Sequence, residues 1–145
     1  MSPEQLLGQV EAGRRIVIAD MEAGVGNLTR MSEGSVDAIL AIVEATPKSI
    51  EVARRARDIA AERRVGPVWI VANRVRDDTD RSLLASAFGL VAFEIPEDDG
   101  ILRADRDGRS PLDADPEGPA VRAIVAMARD LIAAARASSA SSCRT

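Results

Sequence analysis

The chain has 145 residues, a formal net charge of −4 and no histidine. Ser-His-Asp and Cys-His catalysis and histidine metal sites are therefore excluded. The negative charge, with no aromatic–basic patch, argues against nucleic-acid binding. With 46% hydrophobic but only 2% aromatic residues, Ala, Val, Ile and Leu must fill the core. The single cysteine, Cys143, permits no internal disulfide and fits a reducing cytoplasm. No apolar run approaches the roughly 20 residues that span a bilayer, and Ser2-Pro3-Glu4-Gln5 is too polar to open a signal peptide. One α/β domain over residues 1–137 is expected, with a disordered Ser/Ala-rich tail over 138–145.

The same Ser2-Pro3-Glu4-Gln5 reads as a capped helix start, with Leu6, Leu7 and Val10 as its apolar stripe and Gly13 as its stop. The run Ile16 to Ala19 reads as a short buried strand ending in the carboxylate of Asp20. A loop through Gly24 and Gly26 follows, then a short helix near 27–31. Ala38 to Glu44 is a second buried strand, and Thr46-Pro47 caps and starts a long helix. Ile50, Ala53, Ala56, Ile59 and Ala60 mark the buried face of that helix, and Gly66-Pro67 ends it.

Val68 to Ala72 is a third strand, ending in Asn73-Arg74. A helix introduced by Asp77 to Asp80 carries Leu83, Leu84, Ala87 and Phe88 and is closed by Gly89. Leu90 to Ile95 is a fourth strand, ending at Pro96-Glu97-Asp98. A short helix near 101–105, a loop from Asp107 to Gly118 and a last helix from Pro119 complete the chain. Strands alternating with helices imply a three-layer, mainly parallel sheet with helices on both faces. The carboxyl ends of parallel strands lie on one edge, where ligands bind. Asp20, Thr46, Asn73 and Pro96-Glu97-Asp98 occupy such ends in the sequence.

Asp20-Met21-Glu22-Ala23-Gly24, Thr46-Pro47, Val71-Ala72-Asn73-Arg74-Val75 and Ile95-Pro96-Glu97-Asp98 occur in the order and approximate spacing of the MinD/ParA group of deviant P-loop ATPases. Glu22-Ala23-Gly24, followed by Leu28-Thr29-Arg30, resembles in particular its carbon monoxide dehydrogenase maturation branch, CooC. The resemblance runs from about Arg15 to Leu131 and implies a truncated P-loop NTPase, or Rossmann-like, fold binding ATP or ADP with Mg²⁺. It implies that Asp20 faces Mg²⁺ through water and that Gly24 offers its backbone N–H towards the γ-phosphate. It further implies that Asn73 binds the adenine edge, and that Pro96 and Glu97 lie along the base or ribose. Thr46 reads better as a helix cap than as a ligand.

One departure from the family matters most. Its phosphate cradle ends in Gly-Lys-Ser/Thr, whereas the only lysine here, Lys48, follows Thr46-Pro47 with no glycine nearby. No catalytic residue is assigned. The expectation is a chain lacking the P-loop and the strand that precedes it, and not an ATPase by itself. Its sheet would then close over the gap, accept a strand from a partner, or leave an edge that favours a homodimer. The family's Cys-x-Cys metal pair is also absent, so no nickel role transfers. Two functions follow: a nucleotide-binding domain completed by a partner, or a non-catalytic pseudo-ATPase module that dimerises or binds another protein. A receiver-type phosphoacceptor is set aside, because it needs a second acidic pair and a lysine at a later strand end.

Overall fold

The computed structural model describes residues 16–21, 26 and 28–142, with side chains to residue 135. The helix expected at Ser2, most of the Glu22–Asn27 loop with Gly24, and Cys143 lie outside the described residues. A 3₁₀ turn over Leu28–Arg30 is followed by β1 (Ile39–Val43), α1 (Pro47–Glu62), β2 (Val68–Val75) and α2 (Asp78–Phe88). Then come β3 (Phe93–Pro96), α3 (Asp99–Arg106), α4 (Pro111–Ala114) and α5 (Pro119–Ser142). The strands form a parallel sheet in the order β1-β2-β3, an α/β fold as the alternation implies.

The chain divides into two compact units, one within Met1–Ala41 and Thr46–Trp69, the other within Ile42–Ala45 and Ile70–Thr145. In the first, Thr46 caps α1, its hydroxyl accepting from the Ser49 N–H at 3.2 Å, and Pro47 stands where a missing N–H costs nothing. Ile50, Ala53 and Ala60 are buried along the face the 3.6-residue period predicts. The helix stops earlier than Gly66-Pro67: Arg64 turns left-handed at φ 52°, and the Val65 N–H donates to the Ala60 carbonyl at 3.1 Å. Gly66 has a different task. A Cβ there would lie 2.5 Å from the Val36 carbonyl oxygen, so the glycine permits close backbone approach.

Residues 16–20 form no strand, and Ile16, Val17 and Ile18 are exposed, contrary to the buried strand expected there. A strand survives only where a neighbour takes its backbone N–H and C=O groups. Among the described residues no strand pairs with this segment.

In the second unit, α5 packs on β3 around Val71, Ile95 and Ala120, with Phe93, Ile101, Ala123 and Met127 against them. Asp77 caps α2 by accepting from the N–H groups of Thr79 and Asp80 at 2.9 and 3.1 Å, and Gly89 closes it at φ 75°. The fourth strand starts later than expected, at Phe93. The last helix continues to Ser142, past Ser138 where a disordered tail was expected, since alanine sustains helical backbone through the serines. Among the described residues, no helix is long and apolar enough to cross a membrane.

Candidate functional site

The second unit gathers the carboxyl ends of the strands. Val71 pairs with Phe93, Ala72 with Glu94, and Val75 with Pro96. From Ala72 to Val75 is three residues, while the partner advances two, so β2 carries one extra residue, a β-bulge. Beyond it the Glu97 N–H donates to the Val75 carbonyl at 3.0 Å, fixing the exit of β3 beside the end of β2. Asn73, Pro96 and Glu97, which the sequence picked out, are thus brought to one edge. Asn73 and Pro96 are half-buried and Glu97 is exposed. The Asn73 side-chain amide makes no hydrogen bond among the described residues.

Arg74 and Glu44 also stand at this edge, and sequence reasoning did not single them out as site members. Arg74, inside the bulge, has a left-handed backbone with φ 55°. Its Nη2 donates to Glu97 Oε1 at 3.1 Å, and its Nη1 lies 3.6 Å from Glu44 Oε1, just past β1. The only signal in the sequence was a charged residue following Asn73 at a strand end. Left-handed arginine has no signature, because propensity assigns that conformation to Gly, Asn and Asp.

Next along the chain, Arg76 grips Asp80. Its Nε and Nη2 donate to the two carboxylate oxygens at 2.9 Å each, and its backbone N–H adds a third bond at 3.0 Å. The side-chain hydrogen bonds from Arg76, and then its backbone N–H, hold the Asp80 carboxyl below its usual range although burial opposes this. Arg81 is shared between Glu94, which it meets at 2.7 Å, and Asp78 at 2.7 Å, and these hydrogen bonds raise its already high pKa. Arg76–Asp80 ties α2 to the chain just past β2, and Arg81–Glu94 ties it to β3.

Of the two phosphate-side candidates, Asp20 is exposed, and the residues before it form no strand for it to end. Gly24 lies outside the described residues. Downstream of it, the Thr29 hydroxyl donates to the Gly26 carbonyl at 2.8 Å within the 3₁₀ turn. Among the described residues, no group of three His, Cys, Asp or Glu side chains could hold a metal ion.

No protein-family model matches the sequence. An uncharacterized ATP-binding protein of Methanocaldococcus jannaschii is 28% identical over 104 residues, covering 69% of this chain and 40% of that protein. The carbon monoxide dehydrogenase accessory protein CooC of Rhodospirillum rubrum is 27% identical over 106 residues, covering 71% and 40%. The MinD cell division protein of Aquifex aeolicus superposes with a TM-score of 0.55 at 22% identity, over 69% of this chain and 45% of that one, a likeness of fold. In sequence the chain is similar to CooC and to ATP-binding proteins, and in fold to MinD. A second uncharacterized ATP-binding protein of M. jannaschii is 34% identical over 71 residues, 49% of this chain and 28% of that protein. The match spans less than half the length of each of these proteins.

Proposed function

We propose that this chain is a nucleotide-binding MinD/CooC-like domain that supplies the adenine and ribose side of an ATP or ADP site. The observation that carries this reading is Asn73: a half-buried amide with no hydrogen-bond partner among the described residues, beside Pro96-Glu97 at the carboxyl end of a parallel sheet. The donor set suits the ligand, because a side-chain amide offers both the donor and the acceptor that the adenine edge requires. The M. jannaschii relatives, named as ATP-binding, support the same reading. Asp20 would meet Mg²⁺ through water, and Gly24 would offer its N–H to the γ-phosphate. The chain alone would turn over little or no ATP, since its one lysine, Lys48, lies in α1 without a glycine-rich loop.

Isothermal titration of Mg·ADP and Mg·ATP into the chain tests this. Saturable binding is expected, weakened on the order of tenfold by Asn73→Ala as one hydrogen-bonding amide is lost. Absence of binding, or equal affinity in the variant, would overturn the assignment of Asn73. A second reading, a non-catalytic module that dimerises or takes a strand from a partner, is favoured by the exposed aliphatic run Ile16 to Ile18.

A further inference from the structure

The backbone of Arg74 is unusual. At φ 55° it occupies the left-handed region, where a side chain with a Cβ is disfavoured and where arginine, unlike asparagine, gains nothing from a local hydrogen bond. Such outliers persist where surrounding interactions over-determine them, and they gather at functional sites. Two carboxylates meet its side chain. Glu44 follows β1 and Glu97 follows β3, and the guanidinium of Arg74, near the end of the middle strand, bridges them at 3.6 and 3.1 Å. The β-bulge between Ala72 and Val75 re-aims this stretch of β2, which a regular alternating strand would not do.

The electrical consequence is specific. One guanidinium between two carboxylates leaves the trio with a net charge of −1. Such a group repels phosphate but accepts hydrogen bonds from neutral hydroxyls. Glu97 has spent only Oε1 on Arg74; its other oxygen accepts no hydrogen bond among the described residues. Asn73, with its unpartnered amide, directly precedes Arg74 in β2. An amide able to read a base and a held carboxylate able to read a sugar thus lie near the carboxyl ends of adjacent strands.

We propose that Arg74 is a positioning residue: its left-handed backbone and its bridge to Glu44 and Glu97 present the Glu97 carboxylate to the ribose hydroxyls of the bound nucleotide. This deepens the nucleotide reading above and rests on it. It makes the site selective for the sugar, not only for the base. It also gives the strained backbone a purpose, because the bulge brings the guanidinium of the middle strand to the carboxylates of both neighbours.

The test is calorimetric titration of the full chain with ADP, 2′-deoxy-ADP and 3′-deoxy-ADP, before and after Arg74→Asn. Asparagine tolerates the left-handed backbone but cannot bridge the carboxylates. The unaltered chain is expected to prefer ADP over the better of the two deoxy analogues by about tenfold or more, as loss of a charge-assisted hydrogen bond implies. In Arg74→Asn that ratio should collapse towards one with the thermal melt retained. Arg74→Gly, which relieves the backbone altogether, should melt no lower and lose the same preference. Binding of ADP with no sugar preference, or an unchanged ratio in either variant, overturns this inference and leaves the nucleotide reading standing. If neither ADP nor ATP binds the unaltered chain, both fall. Unfolding of both variants would assign Arg74 a purely structural role and overturn the inference as well.

Discussion

Asp80 is the one charged side chain buried among the described residues, 6% exposed, and it is held by three hydrogen bonds from Arg76. A buried carboxylate is tolerated only when its lone pairs are satisfied, and here both oxygens are. Its folded pKa lies below the unfolded value, so ionised Asp80 contributes stability that is fully present above the unfolded pKa of about 4. That contribution is lost as pH falls through the folded value. Arg76 stays protonated throughout that range and adds no pH dependence of its own there. Thermal melts between pH 7 and 2 should therefore show Asp80→Asn melting several degrees lower at neutral pH, with a flatter decline on the acid side. An acid limb identical to that of the unaltered chain would show that other carboxylates govern it. Arg74 illustrates the opposite use of charge. Its pairs are exposed and add little stability, while its backbone strain costs about 1–3 kcal/mol.

Asp98 joins two helices. Its Oδ1 accepts from the Gly100 N–H at 2.7 Å at the start of α3, and its Oδ2 accepts from the Ala120 N–H at 3.1 Å in the first turn of α5. Both helix starts expose unpaired N–H groups and partial positive charge, so one carboxylate serves two ends at once. The approach is close enough that a Cβ on Gly100 would sit 2.8 Å from that Oδ1. Asp98→Ala should cost about 1–2 kcal/mol in urea unfolding, as cap removal does. Asp98→Asn, with one acceptor oxygen in place of two, should cost roughly half as much. Equal stability of all three proteins would mean that water replaces the carboxylate at both ends. Because Asp98 follows Pro96 and Glu97 directly, the same cap also steadies the end of β3 where the candidate site lies.

At the scale of the whole chain, the matched region covers 40% of two of the relatives and 45% of the MinD structure. The exposed aliphatic run from Ile16 to Ile18, with Ile18 88% exposed, bears on how the chain meets other polypeptides. An unpaired aliphatic stretch invites pairing with another strand. If this run takes a second copy, light scattering should give twice the 15.4 kDa chain mass, and Ile18→Lys should return it to a single mass. A single mass for the unaltered chain would exclude the homodimer and direct attention to a different partner. A doubled mass that survives Ile18→Lys would move the interface elsewhere.

Local chemistry was legible from the sequence alone. Thr46-Pro47, Asp77 and Gly89 mark helix ends through side-chain acceptors, a fixed φ and a left-handed cap, all of which act within a few residues. The aliphatic runs at Ala38–Glu44 and Val68–Ala72 announced β1 and β2, and strand–helix alternation announced a parallel sheet whose edge brings Asn73 beside Pro96 and Glu97. Other features needed tertiary structure. Ile16 to Asp20 has the composition of a strand, yet strand formation depends on a neighbour that composition cannot supply. The early end of α1 depends on Arg64 adopting a left-handed turn, a conformation its residue type does not predict. The bulge in β2, the left-handed Arg74 and its bridge to Glu44 and Glu97 arise from the register of one strand against another. Register is a long-range property: residues 44, 74 and 97 meet only once three strands are aligned, and no local pattern encodes that meeting.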